Sequence, residues 1–207
     1  MSAAPSRGSS RSSSRIGTLL AAVLVLFSVA SCGYNTIPTL EEQAKAKWAD
    51  VQNNYQRRAD LIPNLVATVQ GYAKQEKDVL TAVVEARAKA TQTKVDASEL
   101  TDPEKLKQFQ DAQRHLTGAL GRLLVVVENY LDLKSNANFL ALQSQLEGTE
   151  NRISVARRDY IAAVQDFNTS LRTFPTVIWA KTAFADTKPM VPFTAEAEAQ
   201  SAPKVKF

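Results

Sequence analysis

The stretch IPTLEEQAKAKWADVQNNYQRRADLIPNLVATVQGY, Ile37 to Tyr72, decides the fold. Ile37, Leu40, Ala44, Trp48, Val51, Tyr55, Ala59, Ile62, Leu65, Val69 and Tyr72 recur at alternating spacings of three and four. A period near 3.5 puts them on one stripe of a helix that must bury itself along a neighbour. The series resumes after Glu76 with Val79 or Leu80, Val83, Ala86 and Ala90. One helix over 37–90 would be about 80 Å long, so a break is expected. Asp60 to Pro63 is the favoured site, because proline lacks a donor and disfavours the helical conformation at Ile62. Gly71, as a helix C-cap, is the other candidate.

Downstream, TKVDASELTDPEK reads as a loop and a helix start, with Thr101 and Glu104 as a capping box and Pro103 in the first turn. Leu106, Phe109, Gln113, Leu116, Leu120, Leu123, Val127 and Tyr130 then keep heptad spacing. DLKSNAN interrupts them with turn and cap residues. A last long helix is predicted from about Asn138 to Thr173, with Phe139, Leu142, Leu146, Ile153, Tyr160, Val164, Phe167, Leu171 and Phe174 on its stripe. Short connections between long amphipathic helices favour antiparallel neighbours. The expected fold is therefore all-α, an antiparallel up-and-down bundle of about four long helices over 37–186. FPTVIWAKTAFA reads as a short amphipathic helix, with Ile178, Trp179 and Phe184 packing on the bundle end. The Pro-, Ala- and Glu-rich tail 187–207 is expected to be poorly ordered.

The N-terminal residues speak to location. Residues 1–15 are Ser- and Arg-rich, Ile16 to Val29 are apolar, and Ala30, Ser31 and Cys32 follow. This is the pattern of a secretory leader over 1–31. Fourteen apolar residues would rise about 21 Å as a helix, less than a bilayer core. The segment VASC resembles a lipobox, which implies cleavage after Ser31, a diacylglycerol thioether on Cys32 and acylation of the freed amine, with 32–36 as a short anchored linker. Cys32 is the lone cysteine, so no internal disulfide framework or multi-cysteine metal site exists. Gly33 resembles an outer-membrane sorting signal where the cell has two membranes. Removing Arg7, Arg11 and Arg15 with the leader leaves 22 basic side chains (25 minus 3) against 21 acidic ones. The remainder is near neutral, so the basic pI argues for neither a nucleic-acid nor a membrane-surface partner, and no nucleic-acid partner is expected.

RRADLIPNLVATVQGYAKQE (Arg57–Glu76), RLLVVVENYLDLKSNANFLALQSQLEGTENRISVARRDY (Arg122–Tyr160), FNTSLRTFP (Phe167–Pro175) and CGYN (Cys32–Asn35) together resemble the LemA family of bacterial envelope proteins. The sequence departs from the family pattern at Leu131, where proline is common, and at Gln75, where histidine is frequent. The resemblance implies a membrane-tethered antiparallel helical bundle with no established enzymatic activity and no cofactor.

Chemistry is sparse. His115 is the only histidine and reads as a rim residue rather than a base. No Glu-x-x-His pair resembles a di-iron bundle, so neither a catalytic nor a metal site is expected. Gly118 and Gly121 either permit close approach of a neighbouring backbone or are simply tolerated. Two polar clusters interrupt the apolar stripes: Arg57, Arg58, Asp60 and Asn64, and then Glu147, Glu150, Asn151 and Arg152, with Glu128 and Asn129 nearby in pattern. They form either a solvated face or a satisfied polar network that fixes register, or else a docking surface at one bundle end. The leading functional expectation is a lipid-anchored, non-enzymatic scaffold or interaction module on the extracytoplasmic face of the envelope, with a protein partner. The alternative is a bundle that inserts into or remodels the bilayer through TVIWAKTAFA, and an enzyme of unknown reaction is the least favoured reading.

Overall fold

The computed structural model describes residues 33–194. Cys32, the cleavage position Ser31, the leader and residues 195–207 lie outside the described residues. Among those described, the regular elements are α1 (Thr36–Tyr72), α2 (Lys77–Gln92), a 3₁₀ turn (Ala97–Glu99), α3 (Pro103–Val127), α4 (Leu131–Lys134), α5 (Ala137–Ser170) and α6 (Thr176–Lys181), with no strand. They divide into a bundle, residues 40–168 with 188–194, and a smaller unit, residues 33–39 with 169–187.

Cross-helix pairs fix the directions within the bundle. Lys47 meets Asp159 and Arg58 meets Glu150, so α1 and α5 run antiparallel. Arg87 of α2 reaches Ala59, and Gln113 of α3 reaches Ala90, so successive helices reverse direction. The expected up-and-down order holds. The stripe of α1 is buried from Ala44 through Val69, and its Ile62, Leu65 and Val69 join Leu80, Val83, Leu116, Leu123, Leu133, Phe139 and Leu146 in one core cluster. Each fully buried side chain of this size contributes about 1.5–3 kcal/mol.

The helix break is not at Asp60–Pro63. Helix α1 runs through Pro63 to Tyr72, and the chain turns over residues 73–76. Proline cannot donate to the carbonyl four residues earlier, which leaves Ala59 O without its helical partner. Arg87 Nε of α2 donates to that oxygen at 2.7 Å. The neighbouring helix thus satisfies the acceptor that proline orphans, and the helix continues. Arg87→Met is expected to cost about 1–2 kcal/mol in urea unfolding, because it strands a buried acceptor. In a Pro63→Ala background, where Ala59 O regains a helical donor, the same change is expected to cost at least about 0.5 kcal/mol less. Equal costs in both backgrounds would show that the two residues are not coupled.

Helix α3 starts one residue later than the capping-box reading. Asp102, not Thr101, is the N-cap, and its carboxylate accepts from Glu104 N (2.9 Å) and Lys105 N (3.3 Å). A capping box does exist upstream, on the 3₁₀ turn, between Asp96 and Glu99. Asn136 caps α5 by accepting from Asn138 N and Phe139 N at 3.0 and 3.1 Å. Nothing lies within 4 Å of where a Cβ on Gly118 or Gly121 would stand, so these glycines are tolerated and do not mark a close approach.

Part of the segment assigned to a poorly ordered tail is docked. Residues 188–194 run along the bundle with Met190 and Phe193 buried. Val191 N donates to Leu100 O at 2.8 Å, and Tyr160 Oη donates to Val191 O at 2.9 Å. Asn168 clasps the Met190 backbone from both sides, at 2.8 and 2.9 Å. The Phe193 ring closes an aromatic cluster with Trp48 (5.7 Å) and Tyr160 (5.4 Å), and Trp48 also meets Phe109 at 5.2 Å. Within the smaller unit, Tyr34 packs edge-on against Trp179 at 5.3 Å and beside Phe184 at 5.3 Å.

Candidate functional site

Arg58 is the one cation among the fully buried large side chains of the described residues, at 1% exposure. The helical period explains its position. It lies three residues after Tyr55 and one before Ala59, so it enters the bundle beside the apolar stripe of α1. Its guanidinium crosses to both other long helices of this region. Nη1 donates to Glu150 Oε1 of α5 (2.6 Å) and to Thr117 Oγ1 of α3 (3.0 Å). Nη2 donates to Gln113 Oε1 (2.8 Å) and Gln113 O (3.3 Å). The cation also stands 5.0 Å from the Tyr55 ring centroid. Only Nε, which is buried, has no acceptor.

Arg58 is thus ligated by a carboxylate, an amide, a hydroxyl and a main-chain carbonyl drawn from two helices. The fork geometry of a guanidinium suits this better than a lysine would. Gln113 is itself held, since its Nε2 donates to Ala90 O of α2 at 3.2 Å. Four helices are therefore linked through Arg58 and Gln113. The Thr117 hydroxyl donates to Gln113 O at 3.1 Å, so its proton is directed away from Glu150. A cavity of about 340 Å³ opens beside the cluster, and Arg114, Arg157 and Gln110 also line it. Arg157 stacks on Phe193 at 4.7 Å from the ring centroid. Burial pushes the Tyr55 hydroxyl above its ordinary range, opposed by the charges of Arg157 and Arg58.

The other residues of the two polar clusters do not join this site. Arg57, Asp60, Asn64, Glu147, Asn151 and Arg152 are exposed. Asp60 accepts from Gln56 (2.7 Å) and Glu147 from Gln143 (3.1 Å), each a local pair along its own helix. Glu128 pairs with Lys134. His115 is exposed on α3. Gln113, Thr117 and Tyr55 join the site beyond the residues that the broken periodicity marks. The available signal was Gln113 itself, an amide standing at a core position of an otherwise apolar heptad series.

A second polar group lies where α1 meets α2. Gln75 Nε2 donates to Tyr130 Oη (2.9 Å), Tyr130 Oη donates to Glu76 (2.8 Å), and Asn136 donates to Tyr72 Oη (2.9 Å). The bond to Glu76 holds the Tyr130 hydroxyl above its usual range. Among the described residues no three His, Cys, Asp or Glu side chains converge as metal ligands, and no helix is long and apolar enough to cross a membrane.

Comparison with known proteins gives the family. The chain is 27% identical over 167 residues to the magnetosome protein MamQ 2 of Paramagnetospirillum magneticum, covering 73% of this chain and 60% of that protein. It is 24% identical over 158 residues to the magnetosome protein MamQ of Magnetospirillum gryphiswaldense, covering 69% and 58%. The chain thus spans about three fifths of the length of these curated relatives. The family model described as LemA family matches residues 47–207, which takes in the whole Arg58 site, and the chain belongs to the LemA family.

Proposed function

We propose that this protein is a lipid-anchored helical module of the cell envelope that acts as a non-enzymatic scaffold or interaction module. The carrying observation is the use made of its buried polar cluster: Arg58, Gln113, Thr117 and Glu150 bond to one another and hold helices in register, with Arg58 at 1% exposure. A bundle so organised presents surfaces rather than a reactive group. Anchoring through Cys32 is supported by the lipobox, since two or three acyl chains on one residue exceed what stable attachment requires. Gly33 favours the outer membrane in a two-membrane cell. The relatives' assignment to the magnetosome is a subcellular address, and address is also what the N-terminal sequence speaks to most directly.

Two measurements test this reading. Mass spectrometry of the N-terminal peptide should find a diacylglycerol-modified Cys32, and Cys32→Ser should abolish both the modification and cleavage after Ser31; an unmodified Cys32 refutes the anchor. In-cell photo-crosslinking from position 57, which is exposed, should capture a discrete envelope protein. Position 58 should capture only residues of this chain. The same external product from both positions would contradict a structural role for Arg58.

A further inference from the structure

The smaller unit carries apolar side chains that its own packing leaves uncovered. Phe174 is 73% exposed, Ile178 51% and Tyr34 45%, while Trp179 and Phe184 are turned toward Tyr34. Ile178 and Lys181, three residues apart on α6, share one face of that helix, and the exposed Phe174 lies in the turn just before it. Arg172 is also exposed, and Asp186 is the only acid in residues 33–39 and 169–187. An aromatic and an aliphatic side chain beside two cations is the composition of a segment that lies in a bilayer interface.

What covers this face is indicated by the chain itself. Gly33 has φ of +117°, a conformation that favours glycine, and a Cβ there would stand 3.2 Å from Thr176 Cγ2 and 3.5 Å from Pro175 Cγ. Gly33 therefore packs on the first turn of α6. Cys32 is the next residue back in the sequence. Whether the bilayer is reached through a lipidated Cys32 or through the apolar run Ile16–Val29, the chain enters it within a few residues of Gly33.

We propose that Phe174 and Ile178 dock into the outer part of an anionic lipid bilayer, with Arg172 and Lys181 at its headgroups, so that the anchor and this face form one membrane contact. The proposal rests on the anchored reading above, and its test separates the two. Full-length protein, processed in a lipoprotein-competent bacterium, is reconstituted into vesicles of phosphatidylethanolamine and phosphatidylglycerol. Because the chain has one cysteine, a lipidated Cys32 leaves an introduced cysteine as the only reactive thiol.

An environment-sensitive fluorophore at Ile178→Cys should be quenched about twofold or more by nitroxide-labelled phospholipid, as expected for a group buried roughly 5–10 Å into the interface. The same label at Val125→Cys, an exposed site on the bundle, should not be. Phe174→Ser should reduce the quenching at position 178 while the protein stays in the vesicle fraction. Equal quenching at 178 and 125, or no effect of Phe174→Ser, overturns the docking face. Uptake of label by Cys32 in the unsubstituted chain overturns the lipid anchor instead. The probe comparison is then made in a Cys32→Ser chain held by its apolar segment, where the same two outcomes decide it.

Discussion

Replacing Arg58 with alanine is expected to lower the free energy of unfolding by about 3–5 kcal/mol. The loss has two parts. Four acceptors, Glu150 Oε1, Thr117 Oγ1, Gln113 Oε1 and Gln113 O, lose the guanidinium donor, the last keeping its bond from Thr117, and the long side chain leaves a void that the packed helices fill only in part. Arg58→Met separates these parts, because it keeps much of the volume and removes both the charge and the unpartnered Nε. Its cost should be smaller, about 2 kcal/mol. Glu150→Gln is expected to cost only about 1–2 kcal/mol, since the Glu150 side chain is 45% exposed and solvent shares its charge. Urea denaturation followed by circular dichroism measures all three. If Arg58→Ala falls within about 1 kcal/mol of the parent, the guanidinium is not what joins the helices.

The second large effect concerns Phe193. Phe193→Ala is expected to cost about 3–4 kcal/mol, the usual range for a buried aromatic truncated to a methyl group. Its ring is 6% exposed and touches Trp48, Tyr160 and the Arg157 guanidinium. Ending the chain after Thr187 should cost more, because Met190 and the bonds from Asn168 and Tyr160 go with it. Trp48 reports the change directly: its indole donates to Val95 O at 2.9 Å from a site 1% exposed, and opening that site should shift its emission to the red. A truncated chain with the stability and emission of the parent would mean that 188–194 does not complete the core.

The apolar stripes of α1, α3 and α5 were legible because each repeats over many turns, and a long periodic signal outweighs local propensity. Pro63 was misread because the sequence displays the donor that proline lacks. It does not display the donor that another helix supplies, and Arg87 becomes relevant only once α2 has folded back. Thr101 and Asp102 are both competent caps at adjacent positions, and the choice depends on backbone geometry that composition does not carry. The docked segment 188–194 escaped for a related reason. Pro189, Pro192 and a polar flank describe a chain without regular structure, yet irregular backbone can still bury side chains when fixed partners such as Asn168 and Tyr160 receive its main chain. In the candidate site, listing Arg58 and Glu150 was possible from broken periodicity. Their union was not, because it requires the register between helices.

Trp48 and Phe193 stand near opposite ends of the described chain, and their contact has a bearing on timing. While the protein is being made, α1 emerges early with an aromatic cluster that lacks its last member. The bundle can then collapse around its helices, but the site around Trp48 stays open until residues 188–194 have been synthesised. A chain that has not yet reached Phe193 is accordingly held short of its most stable state, and closure of the core around Trp48 waits on residues 188–194.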